Sequence, residues 1–249
     1  NNATTLPQVL RNILVFTDQI IVVNDGSTDA TLSVVAEFPE AEIVSYSDNQ
    51  GKGYALRKGF QQAVRSGYEY AITIDSDGQH YADDLPAFLA MLNEHPNAII
   101  IGSRNMNQAS VPGKSSFGNK FSNFWFWVET GIRRNDTQSG YRLYPLKALE
   151  HIRFFTRKYE FEIEVIVRAA WNGVDVIEVP VNVFYPEKEK RISHFRPFRD
   201  FSRISVLNTV LVTITFLYIR PRDFFRSLKK KISGKSSPIF SLIPTNPIT

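Results

Sequence analysis

An α/β fold with a mostly parallel sheet flanked by helices is what this sequence predicts, and three observations carry it. Short apolar runs of strand length alternate with stretches of helical period. The helical stretches are long enough to serve as crossovers between parallel strands. Polar clusters follow three of the apolar runs, and ligands on such sheets gather at the carboxyl ends of the strands.

The elements follow in order. The stretch from Thr5 to Leu14 reads as a helix, with Leu6, Val9, Leu10 and Ile13 on one stripe. Gln19 to Asn24 is a short apolar strand. Ala30 to Phe38 reads as helix, Ala41 to Ser47 as strand, and Tyr54 to Ser66 as helix again. Tyr70 to Asp75 (YAITID) is a buried strand, Asp83 to Glu94 a helix striped by Leu85, Phe88, Leu89 and Leu92, and Ala98 to Ser103 the next strand. Beyond Gly118 the character changes: Phe121, Phe124, Trp125, Phe126 and Trp127 crowd one helix, more aromatic than a solvated surface tolerates. A lipid-facing role fits such a segment, since Trp favours the membrane interface. Glu160 to Trp171 is a further helix, on which Glu160 and Glu164 share a face that reads as solvated or salt-bridged, and Val174 to Val183 a strand.

Ile204 to Ile219 is a run of 16 residues without charge, bracketed by Arg203 and Arg220. As a helix it reaches roughly 24 Å, short of the ~30 Å hydrocarbon core of a bilayer. Ser205, Asn208, Thr209, Thr213 and Thr215 dilute it further. It is expected to lie in the membrane interface rather than to span it, with Lys229, Lys230 and Lys231 against anionic headgroups. The domain organisation that follows is a catalytic domain over 1–195, a membrane-associated helical segment over 196–232 and a tail or linker over 233–249.

Composition narrows the function. The 249 residues include no cysteine, which excludes disulfides, thiolate catalysis and Cys-ligated zinc. Net charge is +4, but the excess is concentrated between Arg191 and Lys235, where Asp200 and Asp223 are the only acids. These cations flank an apolar run rather than forming a groove pattern, so the anionic partner is expected to be a membrane surface or phosphate and not nucleic acid. No signal peptide is visible at the start.

Asp75-Ser76-Asp77-Gly78-Gln79-His80 is the most informative stretch. Two carboxylates one residue apart at the tip of a buried strand repel each other unless a cation stands between them. Oxygen ligands at this density suit Mg²⁺ or Mn²⁺, which also binds a substrate pyrophosphate; Gln79 offers a further oxygen and His80 a nitrogen. Asp25-Gly26-Ser27 follows the first strand. Ser27 or Thr28 is placed to cap the next helix, and Asp25 can accept hydrogen bonds from a base or ribose. Asn49-Gln50-Gly51-Lys52-Gly53 opens a helix whose N-terminus, together with Lys52, favours negative charge.

Taken in order, VVNDGSTDAT, NQGKGYALRKGF, AITIDSDGQH, IIGSRN and QSGYRLYP resemble family 2 glycosyltransferases of the GT-A, Rossmann-like fold, and within them the dolichyl- and polyprenyl-phosphate mannosyl- or glucosyltransferase branch. The likeness covers roughly residues 1 to 195. It implies a nucleotide-sugar site at Asp25, Gly26, Ser27, Lys52, Asp75 and Ser76, with Asp75, Asp77 and Gln79 holding the metal and diphosphate. Asp77 and Arg104 become the catalytic residues, Arg104 facing phosphate of donor or acceptor. Ser139 and Arg142 line the acceptor end, and Arg191, Ser193 and His194 belong to a segment that closes over the donor, where the family usually has Lys in place of His194. The family pattern also expects an apolar strand before the first helix, which this sequence lacks.

The reaction so implied moves a hexose, with inversion, from a donor of the GDP-mannose or UDP-glucose type to a lipid phosphate at the cytoplasmic face of a membrane, the protein being peripheral or monotopic. A phosphate acceptor needs no general base. A sugar hydroxyl would need one, for which Asp77 or Glu162 is the candidate. A nucleotidyltransferase on a related fold and a catalytically silent membrane-associated binding module are the rival readings.

Overall fold

The computed structural model describes residues 1–105, 113–184 and 197–233. Six strands and nine helices alternate in it: α1 (Leu6–Leu14), β1 (Ile20–Asp25), α2 (Thr31–Val35), β2 (Ala41–Tyr46), α3 (Lys52–Arg65), β3 (Tyr70–Thr73), α4 (Leu85–Glu94), β4 (Ala98–Arg104), α5 (Gly113–Thr130), β5 (Arg142–Pro145), α6 (Leu146–Leu149), α7 (Phe161–Trp171), β6 (Asp175–Val181), α8 (Pro197–Ile214) and α9 (Arg220–Ser233). A 3₁₀ turn, Ala82–Asp84, precedes α4.

The sheet is in two parts. β1 and β2 pair in parallel, with Ile20 opposite Ala41 and Asp25 opposite Tyr46. The second part runs β3-β5-β4-β6. Here β4 and β6 are parallel, while β5 is antiparallel to both β3 and β4. β5 lies outside the strands the sequence predicts. It is four residues long, starts on an arginine and ends on a proline, so it carries no alternation to read. α2 is shorter than the predicted 30–38 span. Ser27 and Thr28 do not cap it: their hydroxyls accept from Asn1, and Asp29 Oδ1 instead accepts the Thr31 N–H at 3.0 Å.

The main core lies between the second sheet and helices α3, α5, α7 and α8, with Ile99, Ile101, Tyr144, Phe126, Phe161, Ile166, Ile204 and Leu211 buried in it. A second core, around Phe88, Ile100, Tyr141 and Leu143, fills the other face beneath α4. Close packing of α3 on α7 depends on Gly53. A Cβ there would stand 2.3 Å from the Phe161 Cβ and 2.8 Å from the Lys158 carbonyl oxygen.

α8 continues through a π turn, Thr215–Ile219, into α9. Its inner face, Ile204, Leu211, Thr215 and Ile219, is buried. The Thr215 hydroxyl donates to the Glu129 carbonyl at 3.2 Å, and Arg222 to that of Trp171 at 2.9 Å. The outer face exposes Val206, Val210, Phe216, Leu217 and Tyr218, continued on α9 by Phe224, Phe225 and Leu228. The stretch Phe198–Lys229, 32 residues, is long and apolar enough to cross a membrane. Its inner face is nevertheless used up in packing against the domain. On α5, Phe126 belongs to the core, Phe121 stacks on Phe201 of α8, and Phe124 and Trp127 stay partly exposed.

Glu129, near the end of α5, is buried with neither carboxyl oxygen hydrogen-bonded. Burial pushes its carboxyl up from 4.5 to about 8. Between those values the folded chain keeps a proton that the unfolded chain releases. Stability is therefore highest below the unfolded value, falls as pH rises, and levels off above about pH 8. Glu129→Gln is expected to flatten this part of the profile. Thermal midpoints of both proteins from about pH 5 to about pH 8 check it, and parallel curves would refute it.

Candidate active site

The polar strand tips meet at the carboxyl ends of β1, β3 and β4. At the end of β1, Asp25 is turned toward the loop that opens α3. Its Oδ1 accepts the Gln50 N–H at 2.7 Å and its Oδ2 the Gly51 N–H at 2.9 Å. Gly26 has φ +62°, and a Cβ on it would meet the Asn49 nitrogen at 2.5 Å, so the two loops touch only because that residue is glycine. Ser27 receives the chain's first amino group at 3.2 Å. Ser76 is tied to the same end of the chain, its hydroxyl accepting from Asn2 Nδ2 and its carbonyl from the Thr5 hydroxyl, both at 2.6 Å.

Asp75 and Asp77 follow β3. The counter-charge beside Asp75 is Lys52, whose ammonium lies 2.8 Å from Asp75 Oδ1, 3.0 Å from Oδ2 and 3.0 Å from Glu162 Oε1. Burial alone would raise the Asp75 carboxyl, but Lys52 outweighs it and holds the group below the usual range. Burial likewise pulls Lys52 down, while Asp75 and Glu162 more than offset it and keep the ammonium charged. Asp77 is raised, first by burial and then by the Asp75 charge, with the Gln79 N–H to its Oδ1 (3.0 Å) acting the other way. His80 is pushed down to about 4, chiefly by burial, so its imidazole is neutral near pH 7; its Nδ1 has no hydrogen-bond partner.

At the end of β4, Arg104 is clamped by Asp136. Nε is 2.6 Å from Oδ2, Nη2 is 2.9 Å from Oδ1, and the Arg104 N–H also reaches Oδ2 at 3.1 Å. Asp136 is fully buried and accepts from Asn119 Nδ2 as well, at 2.7 Å. Asp136 is a site residue that the sequence marks only as a lone acid just before the QSGYR stretch; its partner Arg104 stands 32 residues away, with no local pattern to join them.

Ser139 and Arg142 lie beneath this surface, both fully buried. The Arg142 guanidinium donates to the carbonyls of Ser139 (2.6 Å), Glu162 (2.6 Å) and Thr137 (2.9 Å), so it ties the 137–142 turn to α7. Gly140 of that turn presses on the ion pair: a Cβ would stand 2.6 Å from Asp75 Oδ2 and 2.8 Å from Lys52 Nζ. Of the face expected to be solvated or salt-bridged, Glu164 is buried and lies 3.8 Å from Arg168. Glu162 holds Lys52, and buried Glu164 accepts the N–H groups of Phe155 and Thr156. Arg191, Ser193 and His194 lie outside the described residues. A surface hollow lined by Asp18, Gln19, Glu40, Glu42 and Tyr68 sits at the opposite, amino ends of β1 and β2.

Among the described residues no three His, Asp or Glu side chains converge as a ready-made metal cage. Two carboxylates from one strand tip nevertheless fit Mg²⁺ or Mn²⁺, which keep much of an octahedral shell for water and substrate phosphate oxygens. Asp75 and Asp77 would hold such an ion, with Gln79 beside them.

Known proteins of similar sequence and fold place the chain in a family. The chain is 28% identical over 191 residues to a UDP-N-acetylglucosamine–dolichyl-phosphate N-acetylglucosaminyltransferase of Methanococcus voltae, covering 68% of this chain and 76% of that protein. It is 30% identical over 185 residues to a polyprenol monophosphomannose synthase of Mycolicibacterium smegmatis, covering 70% and 69%. In fold it is similar to glucosyl-3-phosphoglycerate synthase of Mycobacterium tuberculosis, a structure solved with Mn²⁺, UDP and phosphoglyceric acid. That match has a TM-score of 0.63 at 19% identity and covers 85% of this chain and 74% of that one. The sequence profile of glycosyl transferase family 2 matches residues 1–153, a span that holds the three strand tips, Lys52 and the 137–142 turn, and the chain therefore belongs to that family.

Proposed function

We propose that this glycosyltransferase moves a hexose or N-acetylhexosamine from a nucleoside diphosphate sugar to a polyprenyl or dolichyl phosphate, with inversion, at the cytoplasmic face of a membrane. The observation that carries the reading is the gathering of Asp75 and Asp77 after β3 and Arg104 at the end of β4, with Lys52 paired to Asp75 and Arg104 held by Asp136. A diphosphate brings negative charge to a place that already holds two cations. When bound, Mg²⁺ or Mn²⁺ neutralises charge developing on the departing diphosphate. Lys52 and Arg104 are preorganised for the same charge, and Arg104 cannot swing freely because Asp136 fixes its guanidinium plane. Asp25, Gly26, Ser27 and Ser76 serve the nucleoside side. Ser139 and Arg142 support the acceptor end by holding the 137–142 turn.

A lipid phosphate oxygen attacks the anomeric carbon as the bond to the diphosphate breaks, and the nucleoside diphosphate leaves with the electron pair. The acceptor, a phosphate monoester with a second pKa near ~6, is already ionised at neutral pH, so no side chain has to remove a proton. Access for a lipid fits the start of α8. Tyr159 stands within electrostatic reach of Lys52, Glu162 and Asp200 of α8, and Phe198 and Phe201 are exposed on the same turns. The outer face of α8 and α9, with the basic residues of α9, suits a helix lying along anionic headgroups.

The test is a donor screen with vesicles containing a short polyprenyl phosphate, Mg²⁺ or Mn²⁺, and GDP-mannose, UDP-glucose or UDP-N-acetylglucosamine. Glycosylated lipid and nucleoside diphosphate are expected in equal amounts. Release of inorganic pyrophosphate would favour a nucleotidyltransferase instead, and no turnover with any donor by folded protein would refute the reading.

A further inference from the structure

We infer that Lys52 is a resident counter-ion which a divalent cation must displace from Asp75, so that metal binding here waits on a nucleoside diphosphate to draw the ammonium away. The inference rests on the reading above, that Asp75 and Asp77 hold the metal and diphosphate, and adds an order of events to it.

Both oxygens of Asp75 are engaged by one ammonium, at 2.8 and 3.0 Å. The carboxylate face that a metal would use is therefore already neutralised. The backbone at Gly140 presses on the ion pair itself, where a Cβ would collide with both Asp75 Oδ2 and Lys52 Nζ, so the space beside the paired groups is already closed on that side. With no group of three His, Asp or Glu side chains placed to hold a metal among the described residues, a bare cation has only Asp77, the neutral Gln79 and its own water to offset the loss of that ion pair.

The position of Lys52 also sets where it goes. It is the first residue of α3, with no acid in the first turn, so the helix dipole there opposes a cation and favours an anion. The two carboxylates, Asp75 and Glu162, overcome that opposition. A diphosphate at the helix N-terminus gains from both the dipole and the ammonium, and so competes for Lys52 on favourable terms. Glu162 gives the ammonium a second anchor at 3.0 Å, so Lys52 can pivot about it and give up Asp75 without entering water. The exchange is a charge swap: one ammonium moves from carboxylate to phosphate as a divalent ion takes its place.

The experiment measures Mn²⁺ binding to the full chain by paramagnetic resonance of the free ion, alone and with saturating UDP or GDP. It compares the wild type with Lys52→Gln, Lys52→Met and Asp75→Asn. Gln can hydrogen-bond both carboxylates without charge and Met packs without polarity, so folding is protected by two different routes and is checked by circular dichroism. Removing the ammonium is expected to tighten nucleotide-free Mn²⁺ binding by about tenfold, within the usual range of site-to-site coupling. In the same variants the nucleotide should enhance Mn²⁺ binding less than in the wild type. If Asp75→Asn weakens Mn²⁺ binding but both Lys52 variants bind the bare ion as the wild type does, the counter-ion role is refuted and the metal site stands. If Asp75→Asn leaves Mn²⁺ binding unchanged, the metal site itself is misplaced and the inference falls with it.

Discussion

Asp77→Asn is expected to lower turnover by about 10²- to 10³-fold, the scale of losing one preorganised electrostatic contact to the reacting charge, while leaving the protein folded. The geometry makes this the cleaner of the two aspartate substitutions. The Asp77 carboxylate accepts the Gln79 N–H through Oδ1, and an amide oxygen can accept it equally well. The turn after β3 should therefore keep its shape and lose only charge. Asp75→Asn, by contrast, also releases Lys52 and changes the balance on Glu162. Steady-state turnover with the donor identified in the screen, set beside unchanged circular dichroism, is the measurement. A variant that turns over like the wild type would mean that Asp77 contributes nothing to the diphosphate site.

Asp136→Ala should act on stability as much as on catalysis. The side chain is fully buried and accepts from the Arg104 N–H, Arg104 Nε and Nη2, Asn119 Nδ2 and the Gln138 N–H. Removing one partner of a buried ion pair costs ~3–5 kcal/mol, because the remaining charge keeps its desolvation penalty. For a chain of this size that lowers the thermal midpoint by on the order of 10 °C. Any surviving activity should be further reduced, since the Arg104 guanidinium loses the fork that aims it. Asp136→Asn keeps the shape and part of the hydrogen bonding and should fall between the two. A midpoint within about 2 °C of the wild type for Asp136→Ala would show that the clamp is not the support it is taken to be.

Apolar runs such as AIIIGS and YAITID mark their strands by length and apolar content, although only β4 is buried along most of its length while β3, expected to be buried, is half-buried throughout, and the three polar tips lie where a parallel sheet puts them. β5 was illegible for a physical reason. Its first residue, Arg142, is buried with its guanidinium donating to three backbone carbonyls, two in its own turn and one on α7, and no side-chain pattern records such acceptors. The same blindness affected α7. The spacing of Glu160 and Glu164 suggested a solvated or salt-bridged face; Glu164 does lie 3.8 Å from Arg168, but it also accepts the Phe155 and Thr156 N–H groups, and Glu162 holds Lys52, partners that come from elsewhere in the chain. The repulsion expected between Asp75 and Asp77 was a sound premise. That a lysine at the start of a helix would answer it was not deducible, since helix N-termini ordinarily disfavour cations.

The register of β5 has a consequence for biosynthesis. Thr73 pairs with Arg142, and among the described residues β3 has no other ladder. As the chain leaves the ribosome, the segment bearing both aspartates must wait for residues 142–145 before its backbone can pair, with the whole of α4, β4 and α5 emerging in between. Loop closure over that distance is slow, and an unpaired apolar strand is prone to aggregate while it waits. Expression at lower temperature or with added chaperone should therefore raise the soluble yield of this protein more than it would for one whose central strands pair with near neighbours.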